Sequence, residues 1–318
     1  MCCAPISAKA SDVVKRLGGW GLQTAAGLLA VSFVAFAIIA LMPADPVAIA
    51  IRNWNLPATD ETVAALRHGW GLDRPLPVRY VQWLSGFVQG DWGRSFRTGE
   101  PVRLEFMKRL PLSLFLGLSS LCLAIALALP LGFAAALKPG GIADRFSRLL
   151  SVFTQSTPAF ATGLVLIWVL GAQLRWIRPF SNDGASLTLA VMLVALHSTA
   201  VLSRIYKQGL AAAMGQPWFI TARAKGFSER RALWRHAHPS AFYAVLAAIH
   251  SEAGWVIGSA AAMEILFGLP GISQFLVQSI SARDQMVLQA YVIVVALWMA
   301  IVGLAARLLS LRLEPRLS

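Results

Sequence analysis

Six apolar runs, each long enough to cross a bilayer, alternate with polar stretches along this chain. A crossing helix needs ~20 predominantly apolar residues. Residues 22–42, 110–137, 149–174 and 286–306 contain no Asp, Glu, Lys or Arg. The runs at 110–137 and 149–174 are long enough to tilt or to extend past the bilayer. Residues 184–203 carry only His197, and residues 240–267 carry His250, Glu252 and Glu264. The pattern predicts an all-α integral membrane protein with six transmembrane helices. The first run is too long for a signal sequence, and Met42-Pro43 offers no small-residue cleavage site.

Two polar stretches carry helix signals of their own. Within residues 43–109, Thr59 can cap a helix with Asp60 and Glu61 in its first turn. Val78, Val81, Leu84 and Val88 share one face of a second helix, expected to pack on the membrane domain. Within residues 218–239, the preceding Pro217 suits the first position of a helix, where no N–H is needed. Lys225 would fall in that helix's last turn, and Gly226 supplies the left-handed residue that ends it. Ser228 can then cap a second helix, with Glu229 in its first turn. The stretch reads as helix, glycine corner, helix outside the bilayer. The plainer alternative is an ordinary basic loop retained by its charge.

Composition supports the membrane class: 57% of residues are hydrophobic and 14% charged. The net charge is +13, but the charges lie mostly between apolar runs, so no nucleic-acid partner is expected. Their asymmetry sets an orientation. Lys9, Lys15, Arg16, Lys138, Arg145, Arg148, Arg204, Lys207, the basic residues of 218–239, Arg307, Arg312 and Arg316 share one side. The short loops opposite carry only Arg175, Arg178 and Arg283. Both termini and the 218–239 stretch are therefore expected in the cytoplasm. Cys2, Cys3 and Cys122 show no metal spacing and read as reduced and idle. His236 and His238 alternate beside Arg235, too few ligands for a metal site.

Motifs along the chain narrow the class. The stretch Ala222-Arg223-Ala224-Lys225-Gly226, with Pro239 thirteen positions beyond the glycine, resembles the cytoplasmic loop of ABC importer permeases. Ile220-Thr221-Ala222 stands in the family's Glu-Ala-Ala place, without the acidic residue, as is usual in the dipeptide/oligopeptide/nickel branch. His238-Pro239-Ser240 stands where that branch has Leu-Arg-Asn, so the hinge into the next span is expected to differ. Pro43-Ala44-Asp45-Pro46, Gly71-Leu72-Asp73-Arg74-Pro75-Leu76 and Gly90-Asp91-Trp92-Gly93-Arg94-Ser95 resemble the same branch, in order. So do Asp144-Arg145, Ser156-x-Pro158-x-Phe160, Glu264 with Phe267-Gly268-Leu269-Pro270-Gly271, Arg283-Asp284 and Glu314-Pro315-Arg316.

The resemblance implies the type I ABC importer permease fold. Residues 1–21 would be a cytoplasmic N-terminus, 22–42 the first transmembrane helix and 43–109 a periplasmic segment. Residues 110–311 would be a core of five transmembrane helices, and 312–318 a cytoplasmic tail. It also implies a heterodimer with a second permease, ABC ATPase subunits and a periplasmic substrate-binding protein, in the bacterial inner membrane. The 218–239 loop would couple to the ATPase through Ala222, Arg223, Ala224, Lys225, Gly226, Glu229 and Arg230. No Gly-x-x-x-x-Gly-Lys-Ser/Thr motif occurs, so this chain hydrolyses no ATP and needs no cofactor. ATP and Mg would be held by the partner subunits.

Few residues point to the translocation path. Ionisable groups inside a span are expensive and often functional. His250 and Glu252 are two apart and so lie on different faces of a helix. Either one lines the path and the other meets a partner helix, or both sit in a subunit interface. Glu264, near the outer end of its span, is within reach of water and reads as structural or gate-forming. Ser156 and Pro158 mark a kink whose freed carbonyl needs a neighbouring helix or a cavity. An ion-gradient-driven secondary transporter is the rival class, yet no internal repeat is visible. Asn55-Leu56-Pro57, with Thr59 and Glu61, and the short loop at 175–183 lean toward nickel or a metal chelate over peptides.

Overall fold

The computed structural model describes residues 6–41, 45–176, 178 and 184–313, and side chains from residue 18 to residue 309 within them. Cys2, Cys3, Met42-Pro43-Ala44, most of the 175–183 loop and Glu314-Pro315-Arg316 lie outside the described residues. So do the side chains of Lys9, Lys15, Arg16 and Arg312. The regular elements are helical, apart from one bridge between Arg94 and Pro101. They are α1 (Ile6–Ala40), α2 (Pro46–Asn53), α3 (Asp60–Gly69), α4 (Leu76–Gln89), α5 (Val102–Leu137), α6 (Ile142–Ser156) and α7 (Ala159–Leu166). After a π-helical stretch (Ile167–Gln173) come α8 (Gly184–Met214), α9 (Pro217–Ala224) and α10 (Glu229–Ala232). A second π-helical stretch (Leu233–Ala237) leads into α11 (His238–Phe267), α12 (Ile272–Ser281) and α13 (Gln285–Leu313).

Among the described residues, five helical stretches are long and apolar enough to cross a membrane (Gly18–Ala40, Val102–Leu137, Gly184–Met214, Glu229–Phe267 and Gln285–Leu309), or six if the bent pair Ile142–Ser156 and Ala159–Gln173 is one span. The sequence predicts a third span over 149–174 with a kink at Ser156 and Pro158, and the structure has a sharp break there. The chain bends by 96° between Ile142–Ser156 and Ala159–Gln173. Pro158 has no N–H to give a helix, and it pushes Thr157 into an extended conformation (φ −121°, ψ 119°). The part after the break spans roughly 22 Å, less than the ~30 Å hydrocarbon core. The run at 184–203 also proves short, because the helix continues to Met214.

Two compact units emerge. One comprises Leu114–Leu269 with the last helical turns from Met299. In it α8 packs chiefly against α11 and α6. Small residues allow the close approach. A Cβ at Gly209 would lie 2.9 Å from the Ala241 Cα, and one at Gly132 only 2.6 Å from the Ser203 carbonyl. Leu202, Tyr206, Leu210, Leu233, Val245 and Leu246 form the centre of its core.

The other unit is Arg16–Ser113 with Pro270–Trp298. Thr59 caps α3 as expected, accepting the Thr62 N–H. The expected apolar face of α4 is not the buried one. Val78, Val81 and Val88 are 44%, 63% and 78% exposed. Tyr80, Trp83 and Phe87, on the other side, join an aromatic cluster with Phe36, Trp92 and Phe106. Aromatic rings bury more area than valines and win the core. Gly90 (φ +93°) ends α4, and the turn after it is fastened to the start of α13. Ser95 Oγ donates to the buried Asp284 carboxylate at 2.5 Å, and the Arg97 N–H to the same oxygen at 3.2 Å. Two short motifs almost two hundred positions apart thus form one joint.

Candidate functional site

The 217–239 stretch builds its corner from local chemistry. Pro217 opens α9 after the extended Gln216. The helix ends one residue earlier than expected, with Lys225 as its C-cap. Gly226 adopts φ +87°. Its N–H reaches the Arg223 carbonyl at 3.0 Å, and the Phe227 N–H reaches the Ala222 carbonyl at 3.3 Å. This is the Schellman pairing, accompanied by apolar packing of Ala222 and Phe227 in one core. Arg223 Nη1 donates to the Phe227 carbonyl at 2.7 Å and closes the corner. Ser228 accepts the Arg231 N–H and starts α10.

Side-chain directions divide the predicted coupling residues. Arg223, Ala224, Lys225, Gly226, Glu229 and Arg230 are exposed. Ala222 is not: with Phe219, one turn earlier, it is buried in the chain's own core. It anchors α9 and is withdrawn from any docking surface. The second helix is also not a separate element. α10 passes through the π-helical stretch into α11 without a break, and Pro239 sits in the first turn of α11. The π-helical geometry accommodates a proline that an α-helical interior would not. His238 secures this hinge: its Nδ1 and the Tyr206 hydroxyl share a 2.6 Å hydrogen bond, and its ring stacks on Trp234.

A buried polar seam runs from this stretch along α8. Asp144 is 2% exposed and takes Lys207 Nζ at 2.5 Å, Arg148 at 2.6 Å and the Gly140 N–H at 2.8 Å. One turn further, Ser147 and Ser203 hydroxyls lie 3.1 Å apart, and Ser151 Oγ donates to the Ala200 carbonyl. On the α11 side, Ser198 Oγ donates to Glu252 at 2.6 Å. His197 stacks on Trp255 and approaches the Thr154 carbonyl, just before the Pro158 break. α8, whose end leads into α9, is therefore bonded to α6 and to α11. Asp144 and Lys207 were missed as a pair because 63 residues separate them; both charges flank apolar runs, the one visible signal.

The intramembrane candidates separate as well. Glu252 is buried against α8, whereas His250 is exposed and lies beside Gly303 of α13, so the two do occupy different faces. Glu264 is fully buried, which corrects the expectation that it reaches water. It lies on α11's inward side with Ala260, Met263 and Phe267. Ser156 and Pro158 are exposed at the break; the Pro158 carbonyl accepts the Ala161 and Thr162 N–H groups and starts α7.

Long apolar helices with a buried polar seam between them and an exposed glycine corner describe a multi-span membrane protein. Residues 128–318 match the family described as binding-protein-dependent transport system inner membrane component, and residues 13–117 match its N-terminal counterpart; the chain belongs to this family. It is a multi-pass inner membrane permease subunit of an ABC importer, with the type I fold. It is 28% identical to a probable peptide ABC transporter permease protein of Sinorhizobium fredii, over 96% of this chain and 98% of the relative. A putative peptide permease protein of Brucella ovis is 29% identical, over 91% of this chain and 94% of the relative. The glutathione transport system permease protein of Salmonella paratyphi A is 30% identical, over 95% and 97%.

Glu252 offers a first test. In Glu252→Gln the amide oxygen still accepts from Ser198, so the fold is expected to persist while transport changes if this group lines the path. Glu252→Leu leaves the Ser198 hydroxyl unpaired, at about 1–3 kcal/mol. Loss of the assembled complex in the Gln variant assigns Glu252 to an interface. Unchanged transport and assembly removes it from the site.

Proposed function

We propose that this chain forms half of the translocation path for short peptides, beside a second permease subunit. A periplasmic binding protein delivers the peptide, and separate subunits bind ATP and Mg and hydrolyse ATP. The observation that carries the substrate is similarity over nearly the full length to a peptide permease. The relatives described above are named for peptides and for glutathione, which favours peptides over the nickel suggested by residues 55–61.

The docking surface for the ATPase is the exposed side of α9 and its corner: Arg223, Ala224, Lys225, Gly226 and Glu229. Both termini lie in the cytoplasm, a reading the Lys/Arg asymmetry supports. ATP closes the ATPase pair, α9 moves with it, and α8 carries the motion to α6 and α11 through the polar seam. A ligand drives such a cycle only through unequal affinity for its two states.

Uptake by a strain lacking this chain, with and without complementation, tests the substrate. Restored uptake of labelled dipeptide is expected. Restored nickel uptake with unchanged dipeptide uptake overturns the peptide assignment. For orientation, an alkaline phosphatase fused after Ser318 is expected to be inactive; an active fusion overturns the cytoplasmic terminus.

A further inference from the structure

A groove of about 750 Å³ lies between the last turns of α5 and the segment that leads into α11. Its wall on α5 includes Leu129, Phe133 and Leu137, spaced four residues apart and hence one stripe along the helix. That stripe is roughly 12 Å long. It ends where the uncharged run of α5 ends, with Lys138 next in sequence. The wall is thus the apolar end of this run, next to the basic flank that begins at Lys138 and marks the headgroup side.

Arg230 and Arg231 line the groove from the other side, with Trp234. Both arginines are exposed, and the ion pairs among the described residues do not include them. The Arg231 guanidinium is held 5.2 Å over the Phe227 ring, so one cation is already positioned. Trp234 is 61% exposed and meets Phe133 edge-on, the placement of an interfacial tryptophan. An apolar groove that ends at two arginines with no carboxylate partner among the described ion pairs complements an amphiphile with an anionic head. Guanidinium groups suit phosphate oxygens, and basic pockets at this depth select lipids with net negative charge.

We propose that this groove binds one anionic phospholipid, with its phosphate on Arg230 and Arg231 and an acyl chain along Leu129, Phe133 and Leu137. The site is independent of the substrate the transporter carries. Arg230 thereby belongs to a lipid contact and not to the ATPase surface.

Native mass spectrometry of the intact transporter, with phosphatidylglycerol or phosphatidylcholine added, tests this. One retained phosphatidylglycerol is expected on the wild type, with affinity at least tenfold above that for phosphatidylcholine. The double variant Arg230→Gln/Arg231→Gln, both at exposed positions, is expected to lose that preference. A photoreactive side chain at Leu129 is expected to label phosphatidylglycerol. Equal retention of the two lipids, or a preference unchanged in the double variant, overturns the proposal. Labelling of a second permease or of an ATPase subunit in place of lipid does so as well.

Discussion

Asp144→Asn is expected to destabilise the permease by about 2 kcal/mol, more than removal of either of its cations. A surface ion pair is worth about 0–1 kcal/mol, and breaking a fully buried one costs about 3–5. Asp144 falls between these limits. Its side chain is 3% exposed, but Lys207 keeps 27% exposure and Arg148 keeps 65%, so the stranded cations recover part of their hydration. Lys207→Met leaves the carboxylate with Arg148 and the Gly140 N–H and is expected to cost less. Arg148→Met, at the most exposed cation, is expected to cost least. Thermal unfolding of the detergent-solubilised transporter gives the order. Equal losses for Asp144→Asn and Arg148→Met contradict the argument.

Gly226→Val is expected to leave insertion near normal while coupling to ATP falls severely. A Cβ at this position meets nothing within 4 Å, so the substitution acts through the backbone alone. At φ +87° a β-branched residue is strained by at least ~1 kcal/mol. That is small against the packing of α5, α8 and α11. It is large for α9, eight residues long, whose direction depends on the Schellman corner. Arg223→Glu is expected to act in the same direction, because it removes the bond to the Phe227 carbonyl and reverses a charge in the proposed docking surface. The readouts are ATPase stimulation by loaded binding protein and co-purification of the ATPase. If both variants leave both readouts unchanged, residues 218–239 are only a basic loop.

Much of the corner was legible because its determinants are local. A proline at a first helical position, a glycine past a last turn and a serine three residues before the N–H it caps all act within one helical turn. Pro217, Gly226, Ser228 and Thr59 therefore do what their positions suggest. The motif at Gly90–Ser95 was legible only as a resemblance; its attachment to Asp284 was not, since nothing near Ser95 encodes the distant partner.

Span existence and family follow from the chain itself, because a bilayer demands long uncharged runs whatever their neighbours. Burial needs the neighbours. Glu264 looked accessible from its place near a helix end, but only packing decides which side of α11 turns inward. The valines of α4 are as apolar as a core face should be, and aromatic residues on the opposite side took that place. Ala222 sits within the stretch that resembles the family's cytoplasmic loop, yet it is buried in the core with Phe219. Proline announced a kink at Pro158; the 96° angle depends on how the flanking helices pack. The spans follow from long uncharged runs, and the caps and the glycine corner from interactions over a few residues. The Asp144–Lys207 pair, the Glu252–Ser198 bond and the groove beside Arg230 could not be read from the chain. Each joins side chains from helices whose register against one another is set by packing.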